Sequence, residues 1–274
     1  MRTPRTRSRR ALGAVLAALA VAAMAPAAAA SAAPARPAAP AAPRTTSCPA
    51  PAGNARYVRF IYLEILHRCP DAGARAFWIP RLDAGLERWR FAEAVDASNE
   101  NLGKNNVDQL YPLLVGRAPT AAERQAGIDT LRARRENATL TAALISSAEA
   151  YAAHTSAGTV AERDREWLAF AYNRMLDRAP DANGQAFYLG YFSPAGSTRE
   201  QRRTVAMGLE RSRPNLLSWV RAAMSEALGR TPDSKGVDYW MSWTVTKGQW
   251  QTFRLWTTLL ASNEAYQRSQ LQPG

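Results

Sequence analysis

Apolar residues recur along this chain with helical spacing in four places. The sets are Val58, Ile61, Tyr62, Ile65, Leu66; Val107, Leu110, Tyr111, Leu114, Val115; Leu168, Ala171, Tyr172, Met175, Leu176; and Val220, Ala223, Met224, Ala227, Leu228. Each follows i, i+3, i+4, i+7, i+8, the stripe by which an amphipathic helix faces a core. Two residues beyond each stripe stands an arginine (Arg68, Arg117, Arg178, Arg230), and two beyond each arginine a proline (Pro70, Pro119, Pro180, Pro232). Proline lacks an N–H and biases the preceding residue toward extended backbone, so each opening helix is expected to end near its arginine. Pro112, inside the second stripe, is a local conflict. Asp71, Asp181, Asp233 and Thr120 follow the prolines and suit the N-cap of a second helix. Eight positions past the proline stand Trp78, Tyr188 and Trp240, with Gly127 in the second copy. A third helical element closes each unit: Phe91, Val95, Ser98; Leu140, Leu144, Ser147; Val205, Leu209, Ser212; Leu255, Leu259, Ser262. A glutamate stands two residues after three of those serines (Glu100, Glu149, Glu264), and Pro214 takes that place in the third copy.

The pattern predicts an all-α fold of four degenerate three-helix repeats. From closing serine to next opening residue the distances are nine, 21 and eight residues. Short gaps suggest close partners, so the expected organisation is two paired modules, residues 55–153 and 167–274, each covering its own apolar faces. Segment 154–166 then connects them and is the expected first site of proteolysis.

The first residues carry a different signal. Arg2, Arg5, Arg7, Arg9 and Arg10 precede an uncharged stretch from Ala11 to Met24, and Ala30-Ser31-Ala32 fits the small-residue cleavage rule. Residues 1–32 therefore read as a secretory signal peptide, too short in its apolar part to span a membrane. Ser8-Arg9-Arg10-Ala11-Leu12 loosely resembles a twin-arginine signal, but the general secretory route fits better. Residues 33–54 are rich in Ala and Pro and read as an extended linker. No transmembrane segment is expected downstream, and the reading is of a secreted or envelope-associated protein. Its two cysteines, Cys48 and Cys69, are expected to form a disulfide, contributing roughly 3 kcal/mol by loop closure. With His67 and His154 the only histidines, no zinc site is expected, and no other metal or cofactor.

The run Leu176-Asp177-Arg178-Ala179-Pro180-Asp181, with Gly184 and Phe187-Tyr188, resembles the bacterial DUF4214 family of domains of unknown function. The fourth copy matches more closely, with Leu228-Gly229-Arg230-Thr231-Pro232-Asp233, Gly236, Tyr239-Trp240 and Ser262-Asn263-Glu264-Ala265-Tyr266. The first copy departs by Cys69 and an earlier glycine, Gly73; the second lacks the aspartate and the aromatic pair. The resemblance implies a helical domain, similar in pattern to phycobilisome linker domains, common in exported or surface-layer-like proteins and without enzymatic activity. The calcium-binding nonapeptides found beside some relatives are absent from this sequence.

Candidate chemistry is sparse. The four Arg-x-Pro arginines could hold phosphate or carboxylate, but capping of helix C-terminal carbonyls explains all four, and the closing glutamates are alternative partners for three. Among the aromatics of the fourth repeat, Tyr239, Trp243, Trp250 and Trp256 are candidates for a ligand surface, sugar stacking included, against a plain core role that helical spacing favours. A cell-wall-directed glycoside hydrolase with an unrecognised carboxylate pair is the alternative, Glu64 and Glu226 being the candidates for inward-facing carboxylates; Glu64 lies off its helix's stripe and is expected to meet solvent. The formal charge is +12, falling to +7 without the five signal-peptide arginines, and Arg132, Arg134, Arg135, Arg199, Arg202 and Arg203 are expected on polar helix faces. Such a field attracts anionic wall polymers; export removes the usual nucleic-acid partner. The expected function is a non-enzymatic interaction module binding a protein or an anionic cell-envelope polymer.

Overall fold

A computed structural model describes residues 48–134, 136–246 and 252–271. The expected signal peptide, most of the expected linker, Arg135 and Trp250 lie outside these residues. Among the described residues the fold is all-α, with fourteen α-helices. Among the described residues no helix is long and apolar enough to cross a membrane.

The first unit comprises α1 (Asn54–Leu66), α2 (Ala72–Asp83) and α3 (Arg88–Asp96). A π-helical segment (Asn101–Val107) then runs directly into α4 (Asp108–Leu114), followed by α5 (Ala121–Arg134), α6 (Ala138–Ile145) and the short α7 (Ala148–Ala153). The third unit holds α8 (Val160–Leu176), α9 (Ala182–Leu189) and α10 (Arg199–Glu210). The fourth holds α11 (Arg213–Leu228), α12 (Ser234–Thr246), α13 (Thr252–Leu260) and α14 (Asn263–Leu271). α4 continues through Pro112, and the widening to π spacing lies in the seven residues before it. The closing serines turn out to begin helices: Ser147, Ser212 and Ser262 each accept the backbone N–H three residues on, as Ser98 does from Asn101.

The units pair differently from the sequence expectation. One buried cluster joins Tyr57, Phe60, Ile61 and Phe91 of the first unit with Val220, Met224, Leu255 and Leu259 of the fourth. The other joins Leu102, Tyr111, Ile128 and Leu144 with Trp167, Tyr172, Val205 and Leu209, that is, the second unit with the third. Equivalent closing helices meet, α3 on α13 and α6 on α10, so the arrangement is nested and the boundaries 55–153 and 167–274 do not delimit separate cores.

The physical reason lies in the gaps. Residues 99–114 form one unbroken helical rod, and α11 starts directly after Ser212. The nine- and eight-residue gaps are therefore rigid helix and cannot fold one unit back onto the next. Only the 21-residue gap turns, through α7 and residues 154–159. That connecting segment is tied down: Ser156 donates to Glu166 from both N and Oγ, His154 stacks on Phe170 at 3.6 Å, and Thr159 and Glu162 form a reciprocal capping box.

Three further expectations change with this packing. α1 is buried nearly all round, because α14 covers the face opposite its stripe; Glu64 is 8% exposed and pairs with Arg268 at 3.6 Å. Arg268 also donates to the carbonyls of Glu226 and Ala227 at the end of α11, clamping three helices. Arg202 is buried between α10 and α6, donating to the Ser146 and Ser197 carbonyls and lying over the Tyr151 ring. The described end of the linker is a strap on α1: Cys48 is bonded to Cys69, the Cys48 carbonyl accepts from Arg59, and Gly53 exchanges two hydrogen bonds with Gln270.

Nested pairing makes a prediction about fragments. Residues 99–212, which hold most of the second core, should unfold cooperatively on heating. Residues 48–153 leave α1 without α13 and α14 and should show no cooperative transition by circular dichroism. A cooperative melt of 48–153 alone would contradict the pairing.

Candidate functional site

Each Arg-x-Pro turn is built the same way. The guanidinium Nη1 donates to the carbonyl of the next residue: Arg68 to Cys69, Arg117 to Ala118, Arg178 to Ala179 and Arg230 to Thr231, at 3.0–3.3 Å. The capped carbonyl therefore lies in the turn, just beyond the helix, rather than in its last turn. Below the guanidinium sits the ring of Tyr62, Tyr111 or Tyr172, at 5.2–5.7 Å. The fourth copy has Met224 at that position.

Two carboxylates complete the turn. Asp71, Asp181 and Asp233 N-cap the second helix by accepting the N–H three residues on, and each also faces its arginine, at 3.6, 3.1 and 3.1 Å. The closing glutamates then take the Nε and Nη2 edge: Glu100 meets Arg68 at 2.6 and 2.8 Å, Glu149 meets Arg117 at 2.5 and 2.9 Å, and Glu264 meets Arg230. In the second unit Thr120 forms the cap, and Glu123, one turn on, supplies the acid that aspartate supplies elsewhere. Hydrogen bonds from Arg117 and then from the Thr120 N–H bring the Glu123 pKa from the usual 4.5 to about 2. The closing glutamates Glu100 and Glu149 are lowered chiefly by their arginines.

The position eight past the proline packs on the opening helix. Trp78 donates its indole N–H to the Tyr62 hydroxyl at 3.2 Å, and Tyr188 sets its edge on Tyr172 at 5.9 Å. A Cβ on Gly127, in the same place, would lie 2.8 Å from Val107. The residue before it is solvent-facing in three copies: Phe77 is 47%, Phe187 45% and Tyr239 61% exposed. Pro70 is buried, while Pro119, Pro180 and Pro232 are half-buried.

An open cleft of about 800 Å³ lies where the first and last units meet. Trp89, Trp240 and Tyr266 supply its aromatic faces, and Asn54, Thr258, Ser262, Asn263 and Gln267 its uncharged polar groups. Arg88 lies over the Tyr266 ring at 4.6 Å and donates to Asn263 at 2.5 Å. Glu87 is the one acid in the lining among the described residues; hydrogen bonds from Arg90 and the Trp89 indole hold it below the usual carboxylate range, so it is ionised at neutral pH. One acid and one base leave the cleft neutral in a basic chain.

Of the aromatics singled out in the sequence, Tyr239 is exposed beside Trp240, at 5.0 Å, whereas Trp243 and Trp256 pack half-buried on the first core; Trp250 lies outside the described residues. Trp89 was not among the candidates. Its signal is local: an aromatic off the α3 stripe, between Arg88 and Arg90, and 44% exposed.

Two outcomes test the turn geometry. A Cβ on Gly184 would lie 2.5 Å from the hydroxyl of buried Tyr172, whereas on Gly236 its nearest neighbour would be the flexible end of Met224, with the Asp233 carboxylate at 3.3 Å. Helix propensity favours alanine by about 1 kcal/mol, so Gly236→Ala should be neutral or stabilising in chemical denaturation. Gly184→Ala should lose about 1–2 kcal/mol through overpacking. Glu123 titrates lower in the folded chain than unfolded, so its stabilisation is complete above pH 4.5 and fades as the pH falls toward 2. Melting temperatures recorded from pH 6 to 2 should fall less steeply in Arg117→Gln than in the parent.

No curated protein and no solved structure matches the chain. Residues 50–105, spanning the first unit and the start of the helical rod, match the family described as domain of unknown function (DUF4214). The similarity to the DUF4214 family thus covers the part of the chain that carries the disulfide-linked first turn and the Arg68–Glu100 pair.

Proposed function

We propose that the protein is an exported, non-enzymatic interaction module of the cell envelope, binding a wall polymer through the cleft between its first and last units, with an envelope protein as the other class of partner. The cleft is the observation that carries the reading. Planar aromatic faces beside amides and hydroxyls match sugar rings, which present flat C–H faces and an equatorial rim of polar groups. The positive field of a chain with 35 basic and 23 acidic residues draws an anionic polymer toward it. Export is supported by the basic and apolar character of residues 1–32 and by a disulfide, which persists in oxidising compartments.

The hydrolase alternative has less to work with. Glu87 is held ionised by two donors, which suits orientation of Trp89 and not proton donation, and Glu64 is enclosed against Arg268.

Incubation with purified cell-wall sacculi tests the reading. The protein should cosediment at low ionic strength without releasing sugar, and dissociate by about 0.5 M salt, where screening is severe. Trp89→Ala should weaken retention about tenfold, as expected where one stacking face contributes roughly 1–2 kcal/mol. Soluble sugar released by the parent protein would overturn the non-enzymatic assignment, and full retention by Trp89→Ala would remove the cleft from it.

A further inference from the structure

Three of the four arginine turns are closed by a glutamate from their own unit, and the third is open. Arg178 is held in the common pose: Nη1 donates to the Ala179 carbonyl at 3.2 Å and to Asp181 at 3.1 Å, and the guanidinium lies 5.2 Å over the Tyr172 ring. Its Nε and Nη2 edge, which elsewhere grips a glutamate at both oxygens, has no partner among the described residues. The reason is one substitution in the pattern. Ser212 caps α11 as Ser98, Ser147 and Ser262 cap their helices, but two residues later stands Pro214 where the others carry Glu100, Glu149 and Glu264. Proline is accepted in a first helical turn and supplies no acid.

We infer that the Arg178 turn is a receptor for a glutamate side chain of an acidic polypeptide partner. The occupant is read from the other copies: a planar carboxylate, taken fork to fork, at the reach of a glutamate side chain. The guanidinium is already oriented by three contacts, so little rotamer freedom is lost when the carboxylate arrives. Exposed Arg213, beside Pro214, adds a second positive charge on the first turn of α11. A single exposed pair of this kind is weak, so the site is effective toward a chain carrying many carboxylates. The inference is independent of the aromatic cleft.

The probe is fluorescently labelled poly-L-glutamate, titrated with the full-length protein at low ionic strength and read by anisotropy. Pro214→Glu places the missing acid on α11 and should weaken binding about tenfold while raising the melting temperature. Arg178→Gln should weaken it similarly. Pro214→Gln, which changes the backbone but adds no charge, should bind as the parent does, and Arg203→Gln, an equal loss of charge at an exposed site, should cost less than twofold. Trp89→Ala should leave the affinity unchanged, separating this site from the cleft. Parent-like binding by Pro214→Glu, or an equal loss in Arg203→Gln, would overturn the inference. Polygalacturonate binding as tightly as polyglutamate would overturn the assignment to a polypeptide.

Discussion

Unbroken helix between neighbouring units keeps their apolar faces from folding onto one another, and most of this architecture follows from that. The rod from residue 99 to 114 holds the second unit away from the first, and α11 joins the end of the third unit rigidly to the fourth. With one reversal, near residues 154–159, the inner units close on each other and the outer units are brought together beyond them. The cleft between Trp89 and Trp240 exists only because of this closure, since its two walls come from opposite ends of the chain.

The arginine turns show how a local design survives changes of residue. What is kept is a guanidinium fixed by a turn carbonyl, with an acid from the start of the second helix beside it. The acid is an N-cap aspartate in three copies and the third residue of a capping box in the other. Because Glu123 both caps Thr120 and pairs with Arg117, losing the aspartate leaves the turn's charge balance intact. The glycines of the second helices follow the same logic of fit, with Gly184 admitting Tyr172 and Gly127 admitting Val107.

Much of the local structure was legible in the sequence, because stripes, prolines and caps act over a few residues. The opening helices end two or three residues before their arginines, Asp71, Asp181 and Asp233 cap the next helices, and Cys48 meets Cys69. What escaped were properties set by distant chain. Glu64 looks solvent-facing by its spacing, yet Tyr57 and Phe60 beside it mark a helix apolar on more than one face, the sign of a buried helix. Arg202 looks like surface charge until α6 supplies the Ser146 carbonyl it caps. The gap between Ser98 and Val107 contains Gly103 and four asparagines, poor helix formers, yet Asn101 bonds Asp96 and Asn105 bonds the Ile65 carbonyl, and the segment is helical. The cleft was out of reach because no local signal tells which units pair.

The clasp between Gly53 and Gln270 joins residues 217 positions apart, at the two ends of the described fold. Contacts so remote in sequence form late, because the entropy of closing the intervening loop must be overcome before they give anything back. A chain emerging N-terminus first would complete its inner core first and hold α1, with Tyr57, Phe60 and Ile61 uncovered, until the helices of the fourth unit had followed. The order of assembly is therefore from the middle outward, and the earliest-synthesised helix is among the last to be buried.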